Sequence, residues 1–220
     1  MTQALPLFPL NTVLFPGTPI HLHIFEPRYR EMVDRCIEDA SPFGVVLIRS
    51  GVEALGPLPR PHSVGCTARI TEVEHMGGGR MNIAAVGGER FRILGFKSEG
   101  PYLVGDVALM PLEAGDPTDV QAAERRLRGW MGRYLQVLAA ASETRADLSP
   151  ERLPGDAMTL AYVAASLLPI SPIAKQELLA ADHLPQLLME ASLMYERELP
   201  ILETLIAQPS GEVESPFSLN

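Results

Sequence analysis

Two pairs of side chains in this 220-residue chain have types and spacing that could do chemistry. Ser171 and Lys175 stand four residues apart, which places a hydroxyl and an amine on one helical face. A serine beside a desolvated lysine is the arrangement of a Ser–Lys hydrolase. His21 and His23 alternate in IHLHI, so both imidazoles share one strand face and could begin a metal site. Neither pair carries through. Ser171 directly precedes Pro172, a cap followed by a first-turn proline, and this explains the serine as a helix N-cap. Zinc needs three or four ligands, and His62, His75 and His183 are scattered with no Cys pair or carboxylate at ligand spacing. No metal and no cofactor is expected. Cys36 and Cys66 form no CxxC site and are expected to be buried free thiols. The lysines are Lys97 and Lys175, and neither follows the glycine-rich loop that cradles nucleotide phosphates. A GxSxG nucleophile elbow is absent as well. The chain therefore reads as non-catalytic. A hydrolase of another kind would show itself as perturbed titratable groups clustered in a deep pocket.

Binding chemistry has better candidates on loops. Met76 and Met81 flank Gly77, Gly78 and Gly79, with Arg80 beside them. A flexible tip with two thioethers suits adaptable apolar contacts. Phe15 and Pro16, in the first turn, are expected to extend the same surface, and the competing expectation is that these residues fill the ends of the β structure. In IFEPRY, residues 24 to 29, Phe25 and Tyr29 read as packing at a strand-to-helix corner, with Glu26 and Arg28 as a local cap or ion pair.

Composition narrows the partners. The formal charge is −9, and residues 116 to 220 hold most of it. Phosphate-backbone binding needs clustered Lys and Arg. The nearest approach, Arg125, Arg126 and Arg128 behind Glu124, reads as a solvated helix face. No stretch reaches the roughly 18 continuous apolar residues of a membrane span, and no signal peptide opens the chain, so a cytoplasmic protein is expected.

The elements that must position these residues divide the chain. Leu5, Leu7, Leu10, Val13 and Leu14 are interrupted by Pro6, Pro9, Pro16 and Pro19, which predicts an edge strand, bulge and turn, because proline removes a ladder hydrogen bond. Ile20, Leu22 and Ile24 alternate as a strand. Pro27 opens a helix whose face is Tyr29, Met32, Val33, Cys36, Ile37 and Ala40. Strand patterns follow at 43 to 48, 63 to 76, 80 to 86, 89 to 97 and 102 to 110, with a hairpin at the three glycines. In 89 to 97, Phe91, Ile93 and Gly95 alternate against Arg90, Arg92 and Leu94. Beyond 113 to 119 only helical spacing remains. Asp116, Asp156 and Ser171 are expected as caps, a last helix is expected from about Asp182, and Pro200 should kink or divide it. The expected class is α+β: a small β-barrel subdomain over 1–113 with one packed helix, an α-helical bundle over 114–208, and a frayed polar tail at 209–220.

LPLFPLNTVLFPG (5 to 17) followed by LHIFEPRYREMV (22 to 33) resembles the opening of the Lon N-terminal domain family, the substrate-recognition module ahead of the ATPase of Lon proteases and also a stand-alone protein. VGCTARI (64 to 70), GGERFRILG (87 to 95) and, more loosely, LPISPIAKQELLA (168 to 180) extend the match across most of 4 to 206. The resemblance implies a barrel like that of pseudouridine-synthase-associated (PUA) RNA-binding modules, and a bacterial setting. It carries over no catalytic residues. Its implied partners are exposed apolar segments of unfolded or client polypeptides, or an ATP-dependent protease that handles them. A nucleic-acid-binding role for the PUA-like barrel is the alternative, and the acidic balance argues against it.

Overall fold

The computed structural model describes residues 2–97, 100–141 and 153–207; the expected tail at 209–220 lies outside them. In chain order the elements are β1 (Thr2–Leu10), β2 (Pro19–Ile24), α1 (Pro27–Glu38), β3 (Phe43–Ser50), β4 (Arg60–Met76), β5 (Arg80–Lys97), β6 (Leu103–Leu109), α2 (Pro117–Ala141), α3 (Ala157–Leu167), α4 (Pro172–Leu179) and α5 (Leu184–Ala207). The class is α+β, with strands and one helix first and four helices after them.

The six strands form one mixed sheet in the order β2-β5-β4-β3-β1-β6, and β5 also pairs with β6. The pairings of β1, β3, β4, β5 and β6 therefore run in a closed circuit, with β2 attached outside it along β5. β1 and β3 are parallel, and the other pairs are antiparallel.

The proline-punctuated first strand is not at an edge. β1 lies between β3 and β6, and the register shows how it accommodates its prolines. Pro6 pairs with Val104 of β6, before the β3 ladder begins at Leu7; Pro9 pairs with Val46 of β3, after the β6 ladder has ended at Leu7. Only Leu7 has a partner on both sides. Each proline thus sits where one side of the strand is already unpaired, which is the local condition of an edge.

The expected strands 80 to 86 and 89 to 97 are one continuous β5. Gly87 does not end the strand; it allows a close approach. A Cβ there would overlap the Phe15 carbonyl oxygen, and Gly87 N–H donates to Thr18 O at 2.9 Å while Gly17 N–H donates to Gly87 O at 2.8 Å. The Phe-Pro-Gly turn and the Gly-Gly-Glu-Arg segment, far apart in sequence, are therefore docked on each other. At the β4–β5 tip, Gly78 and Gly79 have φ of +75° and +72°, as the tight reversal requires.

The helical caps form as expected. Asp116 Oδ1 accepts from Thr118 N–H at 2.8 Å, Asp156 Oδ1 from Thr159 N–H at 2.8 Å, and Ser171 Oγ from Ala174 N–H at 3.2 Å. α5 is not divided at Pro200 but runs through it.

Three apolar clusters hold the chain together. One joins α1 to the sheet around Phe8, Tyr29, Met32, Phe43 and Ile83. A second gathers Leu5, Leu7, Val46, Phe91 and Val107 from the strands of the circuit. The third is built by the four later helices, but Phe15, Val64 and Leu112 belong to it too. The helices and the sheet therefore share a core.

Cys36 and Cys66 are free and buried. Burial pushes the Cys66 thiol up to about 12 and raises the Cys36 thiol as well. Neither is expected to react with Ellman's reagent in the native protein at about pH 8, where an exposed thiol is partly ionised; both should react once denaturant is added. Fast labelling of either native thiol would contradict this packing.

Candidate functional site

The five expected contact residues are not brought together. Phe15 is fully buried in the helical core, its ring 6.5 Å from that of Tyr162. Its turn is closed by Thr18 Oγ, which donates to Phe15 O at 2.8 Å. Pro16 is half-buried, and Met81 is buried in the α1–sheet core. Both Phe15 and Met81 are therefore packing residues, because each points into a cluster rather than off a loop tip. Met76 (40 % exposed) and Arg80 remain on the surface, with Arg80 Nε donating to Gly77 O at 3.1 Å. The first turn does not extend this tip. β2 separates them, since Pro19 pairs with Val86 and Ile24 with Met81.

In IFEPRY the side chains are mostly structural. Glu26 and Arg28 form a largely buried ion pair at 2.8 Å. Arg28 Nη1 donates to Gly56 O at 3.0 Å, and Leu55 N–H donates to Glu26 Oε2 at 3.4 Å, so the pair anchors the loop between β3 and β4. Glu26 stands at the N-cap position of α1, but its side chain makes no capping hydrogen bond. Tyr29 stacks on Phe8 at 4.2 Å. Phe25 differs from its expected packing role: it is exposed, 5.9 Å from the His23 ring.

The residues with catalytic potential have other roles. Ser171 caps α4, and Lys175 Nζ donates to Ser166 O at 2.6 Å near the end of α3. Burial lowers the Lys175 pKa. His21 and His23 lie exposed on β2, and His23 Nδ1 is 2.8 Å from Asn82 Oδ1. Among the described residues, no three His, Cys, Asp or Glu side chains gather at a metal-binding distance. No helix among them is long and apolar enough to cross a membrane.

A surface that the sequence reading passed over lies at the other end of the β4–β5 ladder. Leu94 is 59 % exposed and Phe96 51 %, with Leu58 exposed beside them. They border two adjoining cavities of about 570 and 550 Å³ that share Arg49, Pro61 and Phe96. Irregular register brings them out. The β3–β4 pairing shifts between Val46 and Ser50, and the β5–β6 pairing shifts between Ile93 and Gly95. Such bulges re-aim side chains. Among the described residues no Asp or Glu lines either cavity. Neither Arg49 nor Arg60 has an ion-pair partner among the described residues. His62, also in the lining, has its pKa lowered by burial and then by the Arg49 charge. One sequence signal was available: Leu94 is an apolar residue in the outward set of an alternating strand.

The chain matches the model of the ATP-dependent protease La (LON) substrate-binding domain over residues 4–196. It is 27% identical over 215 residues to a Lon protease of Syntrophus aciditrophicus, covering 92% of this chain and 26% of the relative. It is 24% identical over 205 residues to Lon protease 2 of Syntrophobacter fumaroxidans, covering 92% and 25%. It thus spans about a quarter of the length of these relatives. Among solved structures it is similar to a Lon N-terminal domain protein from Xanthomonas campestris, with TM-score 0.58, 27% identity, and 84% of this chain and 95% of that chain covered. The N-terminal domain of the Mycobacterium avium complex Lon protease shares the fold at TM-score 0.68 and 19% identity, covering 88% and 98%. Both solved structures are Lon N-terminal domains, and this chain belongs to the Lon substrate-binding domain family.

Proposed function

We propose that this chain is a non-catalytic module that binds exposed apolar segments of unfolded or client proteins, and that an ATP-dependent protease is its partner in handling them. The observation that carries this reading is the surface of Leu58, Leu94 and Phe96 set between Arg49 and Arg60. Large apolar side chains left in water beside cavities gain by being covered, and a clustered patch marks an interaction surface more than a scattered one does. The Arg49 and Arg60 guanidiniums at its rim, without ion-pair partners among the described residues, favour apolar segments that carry carboxylates. The family supports a protein substrate. The exposed hairpin tip of Met76 and Arg80 is a second contact surface for the same clients, at the far end of β4.

The test is fluorescence anisotropy with a reduced, carboxymethylated model protein against its native form. The unfolded form is expected to bind preferentially. The double variant Leu94→Ser/Phe96→Ser should weaken that binding by about tenfold or more, as loss of two buried apolar side chains predicts. If Met76→Ser weakens binding and the double variant does not, the site moves to the hairpin tip. Equal binding of native and unfolded forms would remove the client reading.

A further inference from the structure

The circuit of strand pairings leaves β2 outside it. β2 pairs only with β5, from Pro19↔Val86 to Ile24↔Met81, and its other edge has no strand partner among the described residues. Alternate N–H and C=O groups of such an edge face outward, where another extended chain can match them. A cavity of about 290 Å³ runs along this edge. Its far wall is Phe8 and Leu10 of β1, in the stretch where β1 is paired to β3 alone. The groove is thus bordered by strands that are each paired on one side.

Its chemistry is specific. Tyr29 lines it, is only 2 % exposed, and has a buried hydroxyl with no hydrogen-bond partner. Burial raises the Tyr29 pKa, and the charges of Arg28, Glu26 and Glu53 all reach it. Arg28 is bound to Glu26 at 2.8 Å, and Glu53 has no ion-pair partner among the described residues. Glu53 Oε2 accepts from Asn11 N–H at 2.7 Å, so its carboxylate is positioned. A neighbouring cavity of about 540 Å³ shares His21, Leu22 and His23 and adds Glu72 and Glu74. Among the described residues no Lys or Arg lines either cavity, the reverse of the Arg49 and Arg60 surface.

We infer that the free edge of β2 takes an extended, basic peptide segment, which adds as a strand and places an arginine side chain in the cavity against Glu53 and the Tyr29 hydroxyl. The guanidinium fork donates to the carboxylate and to the phenol oxygen, satisfying the orphaned acceptor. The Phe8 and Phe25 rings, also in the lining, supply apolar and cation–π surface for its plane. Main-chain bonds to β2 give affinity, and the pocket gives selectivity, as in other strand-addition complexes. This surface is separate from the Leu94 and Phe96 patch and does not depend on it.

The test uses the full chain and a short fluorescein-labelled peptide of alternating valine and threonine with one central arginine. That peptide should bind at least about tenfold more tightly than the same peptide with a central glutamate. Methylating its alternate backbone amides should abolish binding while leaving every side chain in place. Glu53→Gln and Tyr29→Phe should each weaken the arginine peptide by about five- to tenfold, the scale of one charge-assisted hydrogen bond. In amide NMR spectra the shifts should fall on residues 20–24. The Leu94→Ser/Phe96→Ser variant should bind this peptide as the parent does, which separates this site from the apolar patch. Equal affinity for the arginine and glutamate peptides, undiminished binding of the methylated peptide, or shifts centred on 94–96 would overturn the inference.

Discussion

Arg90→Ala is expected to lower the free energy of unfolding by roughly 3–5 kcal/mol, because it strands two buried carbonyls and removes a large packed side chain. Arg90 is only 2 % exposed on β5. Its Nη1 donates to Leu179 O at 2.8 Å and to Ala181 O, both at the end of α4. A cation there also meets the negative end of the helix dipole. Burial lowers the Arg90 pKa, with Tyr162, Asp182 and Cys66 opposing it, yet a guanidinium stays charged at ordinary pH. Urea unfolding measures the loss, and amide exchange locates it: α4 and the start of α5 should lose protection first. Arg90→Lys should fall between, since an ammonium keeps the charge but not the reach and shape that bring Nη1 to both carbonyls. A loss below about 1 kcal/mol for the alanine variant, the size of an ordinary surface change, would mean that the shared core alone holds the helices to the sheet.

Gly87→Ala should cost about 3 kcal/mol, the upper end for inserting one methyl into a packed site. The neighbour it meets is backbone, the Phe15 carbonyl, which no rotamer change can move aside. Displacing that turn would stretch the Gly17–Gly87 and Gly87–Thr18 hydrogen bonds together and draw Phe15 out of the helical core. Gly78→Ala, at φ +75° with nothing within 4 Å of the added carbon, should cost less than this. Paired thermal melts of the two variants measure the contrast. If Gly87→Ala melts no lower than Gly78→Ala, the close approach of the two segments is not what the glycine serves.

The local hydrogen-bond chemistry was legible in the sequence. Asp116, Asp156 and Ser171 cap the helices they were expected to cap, and the glycine tip turns where expected. These features depend on groups within a few residues of one another. The face of α1 was legible for the same reason, since helical spacing itself decides that Tyr29, Met32, Val33 and Cys36 point one way.

Only the tertiary structure decided what lies opposite each face. Arg90 shares the outward set of its strand with Arg92 and Leu94, but the end of α4 covers it alone, so one parity yields a buried clamp, an exposed charge and an exposed leucine. Phe15 looks like an exposed turn residue until Gly87 and the helices close over it. Pro6 and Pro9 argue for an edge strand, yet β1 is internal because its two neighbours each stop short of one proline. The apolar patch arises at register shifts, and the free edge of β2 exists because β6 closes on β5 instead. The residue types, their periodicity and their caps are properties of one segment and can be read along the chain. Strand partners, register and cover are set by contacts between segments remote in sequence, and they determine which of those residues meet a partner.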